Sequence, residues 1–152
     1  MNPGRLFFIS FLLNVLLSIA TYGQVNTDSL RVVIQTTLND SSKAAAYNAL
    51  ANELAFTDPD SSEIVAKAQI QLTKSADLKY LHGKGFQNLA LSFHIRGMLD
   101  SARKYYFKSL PIQQELLDSL GIAGLYNNIG VTFNQEGNLP KSLENYQKSL
   151  DL

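Results

Sequence analysis

His82 and His94 are the side chains best suited to acid–base chemistry or metal binding in this sequence. They lie twelve residues apart, and the chain has no cysteine that could join them as a ligand. Because a protein metal site needs three or four convergent ligands, two histidines alone do not make one. We therefore expect both to lie at the surface or along a groove.

Other chemical signatures fail on spacing. "HGKG" at 82–85 lacks the upstream glycine of a phosphate loop, so it predicts a turn between helices. "TDPDSSE" at 57–63 lacks the oxygen ladder and central glycine of a calcium loop, so we expect a capping turn with Asp60 or Ser61 as N-cap. No nucleophile elbow or zinc-protease motif occurs. The sequence thus predicts no catalytic residue, no metal site and no cofactor.

An internal repeat is the strongest pattern in the chain. The stretches "DPDSSEIVAKAQIQL", "GMLDSARKYYFKSL" and "GNLPKSLENYQKSL" align at a spacing of 40, and upstream "YNALANELAF", "FQNLALSFHI" and "YNNIGVTFNQ" align at 39 or 40. Within each stretch, apolar and small residues recur at spacings of three and four, which is typical of one helix face. Each unit therefore predicts a helix, a short turn and a second, antiparallel helix. The small positions of the second helices are Ser62, Ala102 and Ser142.

These units resemble tetratricopeptide repeats. The last unit carries the family pattern as Tyr126, Ile129-Gly130, Phe133, Gly137, Ser142, Tyr146 and Ser149-Leu150, and the middle unit as Phe86, Leu89-Ala90, Phe93, Gly97, Ala102, Tyr106 and Ser109-Leu110. The first unit is weaker, with Asp58 near the turn glycine and Ala66 at the aromatic position. The resemblance implies an all-α helix-turn-helix solenoid over residues 41–152, with units of about 43–78, 83–120 and 123–152.

The spacing of 40 exceeds the usual 34 of such repeats. We expect the extra residues to prolong the second helices after Ile70 and Leu110, with a kink at Pro111.

The N-terminus predicts export. Arg5 precedes an apolar run over residues 6–20, and Thr21 and Gly23 supply the small residues of a cleavage site. Residues 1–23 are therefore interpreted as a signal peptide, and the mature chain as periplasmic, with an uncleaved anchor as the alternative. Residues 24–40 predict a solitary capping helix with Thr27 or Asp28 as N-cap and with apolar Leu30, Val33, Ile34 and Leu38.

Charge and composition limit the partners. Lys plus Arg and Asp plus Glu number 13 each, which argues against nucleic acid or an anionic membrane surface. Any contact with a membrane is expected only through a segment outside this chain.

In the family, the first helices line a concave groove, so the resemblance implies a protein or extended-peptide ligand there. Amides suit a peptide backbone because they both donate and accept hydrogen bonds. The groove positions, found one, five and eight residues past each bulky residue, are Asn48, Asn52 and Ala55, then Gln87, Leu91 and His94, then Asn127, Val131 and Asn134. Solvated polar residues are the alternative interpretation. In members of the family that capture a peptide C-terminus, Lys or Arg occupies such groove positions. Here none of them is Lys or Arg, and Lys84 is the nearest cation, so we do not expect capture of a C-terminal carboxylate.

The combination of leader, helix and 40-residue units also resembles the periplasmic input region of bacterial sensor histidine kinases. Any kinase activity would lie outside this chain, so we expect a non-catalytic binding domain in signal transduction. The alternatives are a free-standing periplasmic scaffold in envelope assembly and, as a third class, a divergent hydrolase. Leu143, Tyr146 and Leu150 still need a neighbour, which predicts either a longer polypeptide or self-association through that helix.

Overall fold

A computed structural model describes residues 27–74 and 78–152, and the predicted signal peptide lies outside these residues. The described part contains seven helices and no strand, as the all-α solenoid prediction requires. Helix α1 covers residues 27–36. The other six helices are α2 Asp40–Leu54, α3 Pro59–Leu72, α4 Lys79–Ile95, α5 Leu99–Glu115, α6 Ser119–Gln135 and α7 Leu139–Leu150.

The helices pack in chain order. From α2 to α7, each helix contacts the next, and α2 also contacts α4. Because the connections at 96–98, 116–118 and 136–138 have only three residues, neighbouring helices must run antiparallel. The pairs α2–α3, α4–α5 and α6–α7 therefore form three helix-turn-helix units.

The 40-residue spacing comes from lengthening both helices of a unit. Helices α4, α5 and α6 each have 17 residues, and two such helices with two three-residue turns make one repeat. The prediction of a prolonged second helix is therefore wrong for the first unit, where α3 ends at Leu72. In the second unit α5 continues through exposed Pro111 to Glu115, and a kink there stays a prediction.

The turn expected at "HGKG" was wrong, and the capping turn expected at "TDPDSSE" is present with a different N-cap residue. "HGKG" lies inside α4, where Gly83 and Gly85 are buried against neighbouring helices. The N-cap of α3 is Asp58, whose carboxylate accepts a hydrogen bond from the Ser61 amide at 3.1 Å. Pro59 takes the first helical position, where a missing N–H costs nothing.

Three turns share one geometry at intervals of 20 residues. After α4, α5 and α6, a residue in the left-handed region ends the helix: Gly97, Leu117 and Gly137. The amide after each of them bonds back across the turn, as Met98 N–H does to Phe93 O at 2.9 Å. These are Schellman caps, which reverse the chain within three residues.

The helices of a unit approach closely at the small positions. Ser62, Ala102 and Ser142 are at most 1 % exposed, and the Ser62 hydroxyl donates to Ala51 O at 2.7 Å. The main apolar cluster lies between the second and third units and consists of Ala90, Ala102, Tyr106, Leu110, Ile122, Leu125 and Ile129.

Helix α1 lies at the N-terminal end of the array. Leu30 and Ile34 of α1, and Thr37 just after it, are half-buried, whereas Val33, also expected on the packed face, is 40 % exposed. A covering role for α1 stays a prediction. Thr27 and Asp28 are both helical, so neither is the N-cap and that prediction was wrong. Leu38 was expected on the packed face but lies beyond the helix and is 97 % exposed, so that prediction was wrong.

Candidate functional site

The first helices α2, α4 and α6 form a row joined by two side-chain contacts. Asn88 Nδ2 of α4 donates to Asn48 Oδ1 of α2 at 2.9 Å, and His94 Nε2 of α4 donates to Gln135 Oε1 of α6 at 2.9 Å. The predicted groove residues all belong to this row except Ala55, which caps α2 and is fully buried. The expectation that Ala55 projects into a groove is therefore wrong.

Three of the predicted polar residues already have partners within the row or its packing. Besides the contacts of Asn48 and His94, Gln87 Nε2 donates to Ser109 Oγ of α5 at 3.3 Å. Gln87 Oε1 accepts from Lys84 at 3.3 Å. These side chains hold helices together, so a ligand would have to share or replace their hydrogen bonds.

The other three predicted amides are open. Asn52, Asn127 and Asn134 are exposed, and none makes a side-chain hydrogen bond to another described residue. Asn127 and Asn134 are seven residues apart on α6, which places them on one helix face two turns apart. Half-buried Val131 lies between them. This face offers hydrogen-bond donors and acceptors beside a small apolar surface.

Exposed apolar residues that the sequence analysis missed follow the same register. Phe56 is 66 % exposed and Ile95 is 42 % exposed. Each lies nine residues past the bulky residue of its unit, where the third unit has Gln135. Counting one position farther along the predicted stripe would have found both apolar residues. They add apolar contact area to a row that is otherwise polar.

Lys84 is the cation of the α4 face. Its ammonium lies 5.5 Å from the centre of the Tyr80 ring as well as beside Gln87. No carboxylate accepts a hydrogen bond from it among the described residues. A single lysine held in this way does not provide the clustered cations that grip a peptide carboxylate.

His82 is a packing residue at the junction of α3 and α4. His82 Nδ1 lies 3.0 Å from Thr73 Oγ1, and its ring packs edge-on against Phe86. Burial lowers the pKa of His82 below that of a free histidine.

Within residues 27–74 and 78–152, no group of three or more His, Cys, Asp or Glu side chains could hold a metal ion. None of the helices described is long and apolar enough to cross a membrane.

Comparison with known proteins supports the repeat assignment. Residues 84–152, which span the two stronger units, match the tetratricopeptide repeat family. No curated protein sequence matches the chain.

Two solved structures share the fold. The TPR domain of Arabidopsis FLU aligns with a TM-score of 0.67 at 18 % identity, over 74 % of this chain and 96 % of that one. BtubC (BKLC) from P. vanneervenii aligns with a TM-score of 0.65 at 16 % identity, over 86 % of this chain. This chain covers 54 % of BtubC, about half its length. Together, the 40-residue helix pairs, the family match over residues 84–152 and the two similar structures show a helical repeat fold like that of tetratricopeptide repeat domains.

Proposed function

We propose that this domain binds a protein segment in extended conformation along the first helices α2, α4 and α6. The observation that carries the proposal is the open face of α6, where Asn127 and Asn134 are exposed without a partner among the described residues. Two amides on one helix face can bond the N–H and C=O groups of a peptide backbone without selecting its side chains. Val131, Ile95 and Phe56 supply apolar contacts along the same row.

No chemistry is part of this function. The predicted groove positions are filled by amides, aliphatic residues and one histidine engaged with Gln135. Tetratricopeptide repeats are in general protein-interaction modules, which agrees with a binding role.

The experiment uses peptides selected from a random library against the purified chain. The dissociation constant of a selected peptide is measured for the chain and for the double variant Asn127→Ala with Asn134→Ala. Loss of two hydrogen bonds worth roughly 0.7 kcal/mol each should weaken binding about tenfold. Helical content should not change, because both side chains are exposed.

A matched control replaces two exposed amides on second helices, Gln71→Ala with Gln114→Ala. The control should bind as the unmodified chain does. Equal affinity of the groove variant and the unmodified chain, or an equal loss in the control, would rule out the proposed site.

We further propose that the domain acts outside the cytoplasm as the input region of a sensor of the histidine-kinase type. Support comes from the sequence: the basic residue and apolar run over residues 5–20 suit a secretory signal, and the repeat layout resembles such input regions. A free-standing envelope scaffold is the competing interpretation.

Export is tested by fusing alkaline phosphatase, which is active only outside the cytoplasm, after residue 40. We expect an active fusion, and an Arg substitution at Leu12 in the apolar run should abolish that activity. An inactive fusion would contradict export, while leaving the peptide-binding test unaffected.

A further inference from the structure

The groove stripes of α4 and α6 continue back into the first turns of both helices. On α4 the added positions are Tyr80 and Lys84, and on α6 they are Leu120 and Gly124. With the predicted groove residues that follow, each set is spaced by four, three, four and three residues, so it lies on one helix face. The two sets are offset by 40 residues, which is one repeat. The face that offers the open amides is therefore longer than the predicted groove.

Two of the added positions are exposed apolar side chains. Leu120 is 87 % exposed and Tyr80 is 50 % exposed. Tyr80 keeps this exposure although the third unit follows it in the array, so the open position belongs to the repeat register. Exposed apolar residues that recur at one register beside open hydrogen-bonding groups are typical of a contact surface for a ligand.

Gly124 is a helical glycine that the packing of the array does not require. A Cβ added to it would meet no other side chain and no atom of another helix within 4 Å. The other described glycines either hold a positive φ or have another side chain close to the position of the missing Cβ. Glycine inside a helix lowers stability relative to alanine. The missing side chain leaves an open space on the exposed face of α6, into which a ligand can approach closely.

Lys84 is the charged residue of this face. Its ammonium lies 3.3 Å from Gln87 Oε1 and 5.5 Å from the centre of the Tyr80 ring, without a carboxylate partner among the described residues. Helices α4 and α6 contain no Asp and no Glu. One ammonium does not grip a chain terminus, but it favours an acidic side chain of a ligand over a basic one.

We propose that Tyr80, Lys84, Leu120 and Gly124 form an additional subsite for the extended ligand that binds the row of first helices. A bulky apolar side chain of the ligand enters the space at Gly124 and contacts Leu120 and Tyr80, and an acidic side chain close to it in the ligand pairs with Lys84. The subsite rests on the proposed function, and it specifies which extended segments bind: those with an acidic residue close to a bulky apolar one.

Selection from a random peptide library tests the charge preference. Peptides selected with the purified chain should carry an acidic residue close to a bulky apolar one, whereas Lys84→Glu should select Lys or Arg in place of the acidic residue. The matched control Lys104→Glu changes an exposed lysine of the second helix α5, so it should keep the acidic preference. An acidic preference that persists in Lys84→Glu, or an equal switch in the control, would overturn the subsite.

A second variant tests the space at Gly124. Gly124→Leu fills that space, so the dissociation constant of a peptide selected with the unmodified chain should rise about tenfold. Leucine is the better helix former, so the melting temperature should rise by roughly 2 to 4 °C, which separates lost binding from lost folding. The control Gln71→Leu, exposed on the second helix α3, should leave the dissociation constant unchanged. Unchanged affinity in Gly124→Leu would contradict the proposal.

The results also separate the subsite from the row on which it rests. Affinity that depends on Asn127 and Asn134, but not on Lys84 or Gly124, would keep the row and reject the subsite. Failure to select any peptide with the unmodified chain would reject both.

Discussion

Buried polar atoms without partners are the clearest energetic features of single residues in this array. The Tyr106 hydroxyl and both amide atoms of Gln113 are buried and make no hydrogen bond to other described residues. A buried polar group without a partner loses its hydration and gains nothing in return. Tyr106 is retained at the centre of the main cluster, where its ring fills space between α5 and α6.

Replacing Tyr106 by Phe removes the unpartnered hydroxyl and keeps the ring. We expect the free energy of unfolding at neutral pH to rise by about 1 kcal/mol. The measurement is urea denaturation of both proteins. Tyr146→Phe, one repeat later and half-buried, is the matched control and should have a smaller effect. A loss of stability in Tyr106→Phe would mean that the hydroxyl has a partner.

The same substitution should change the response to alkali. Burial raises the pKa of Tyr106 well above its ordinary value of 10.0. The folded state therefore keeps this proton while the unfolded state releases it, so the stability tied to Tyr106 is present below pH 10 and falls as the pH rises above it. Between pH 9 and pH 11, Tyr106→Phe should lose less stability than the unmodified chain.

At the scale of elements, the turns after α4, α5 and α6 share a residue in the left-handed conformation. Gly97, Gly137 and Leu117 hold positive φ angles of 74°, 81° and 56°. Glycine adopts this conformation readily, whereas a residue with a Cβ incurs a cost of about 1 to 2 kcal/mol. Leu117 is 85 % exposed, so its side chain contributes little packing to offset that cost.

The substitution Leu117→Gly should therefore stabilise the array by about 0.5 to 1 kcal/mol, after allowing for the greater freedom of glycine in the unfolded chain. Thermal unfolding measures the gain. Leu116→Gly is the control, because Leu116 has a φ of −81° and glycine offers no relief there. If both variants lose stability equally, the left-handed conformation of Leu117 carries no strain.

The helix pairs could be predicted from the sequence, because the stripe from Phe86 to Phe93 and the turn glycine Gly97 recur 40 residues later in the next unit. The start of α4 could not be predicted in this way. Gly83 and Gly85 suggested a turn, whereas they are glycines because neighbouring helices lie close. A Cβ on Gly83 would lie 2.8 Å from Gln113 Nε2, and one on Gly85 would lie 2.8 Å from Ile70 Cγ1.

The candidate site was likewise predictable only in part. The repeat spacing places amides on the first helices. It does not show that the Asn48 side chain accepts a hydrogen bond from Asn88, whereas the Asn127 side chain is exposed and has no hydrogen-bond partner among the described residues. That difference depends on which side chains meet across two units, and such contacts leave no periodic signal in one sequence.

For the molecule as a whole, stability depends on how the units are coupled. The cluster of the first two units, Ala51, Ala66 and Leu89, is separate from the main cluster, but Phe93 and Tyr105 pack against both. Their rings stack with centroids 5.4 Å apart. In a repeat array each unit contacts only its neighbours, so such shared residues carry the cooperativity between units.

Tyr105→Ala should therefore uncouple the first unit from the rest. We expect a loss of about 2 kcal/mol, since the ring is only half-buried, with the loss concentrated in α2 and α3. Hydrogen exchange should show lower protection in those two helices while α6 and α7 keep theirs. The neighbouring ring of Phe107 is 48 % exposed and lies outside both clusters, so Phe107→Ala should leave protection in α2 and α3 nearly unchanged. A uniform fall in protection across all helices after Tyr105→Ala would instead mean that the array unfolds as one cooperative unit, with its coupling spread beyond this stacked pair.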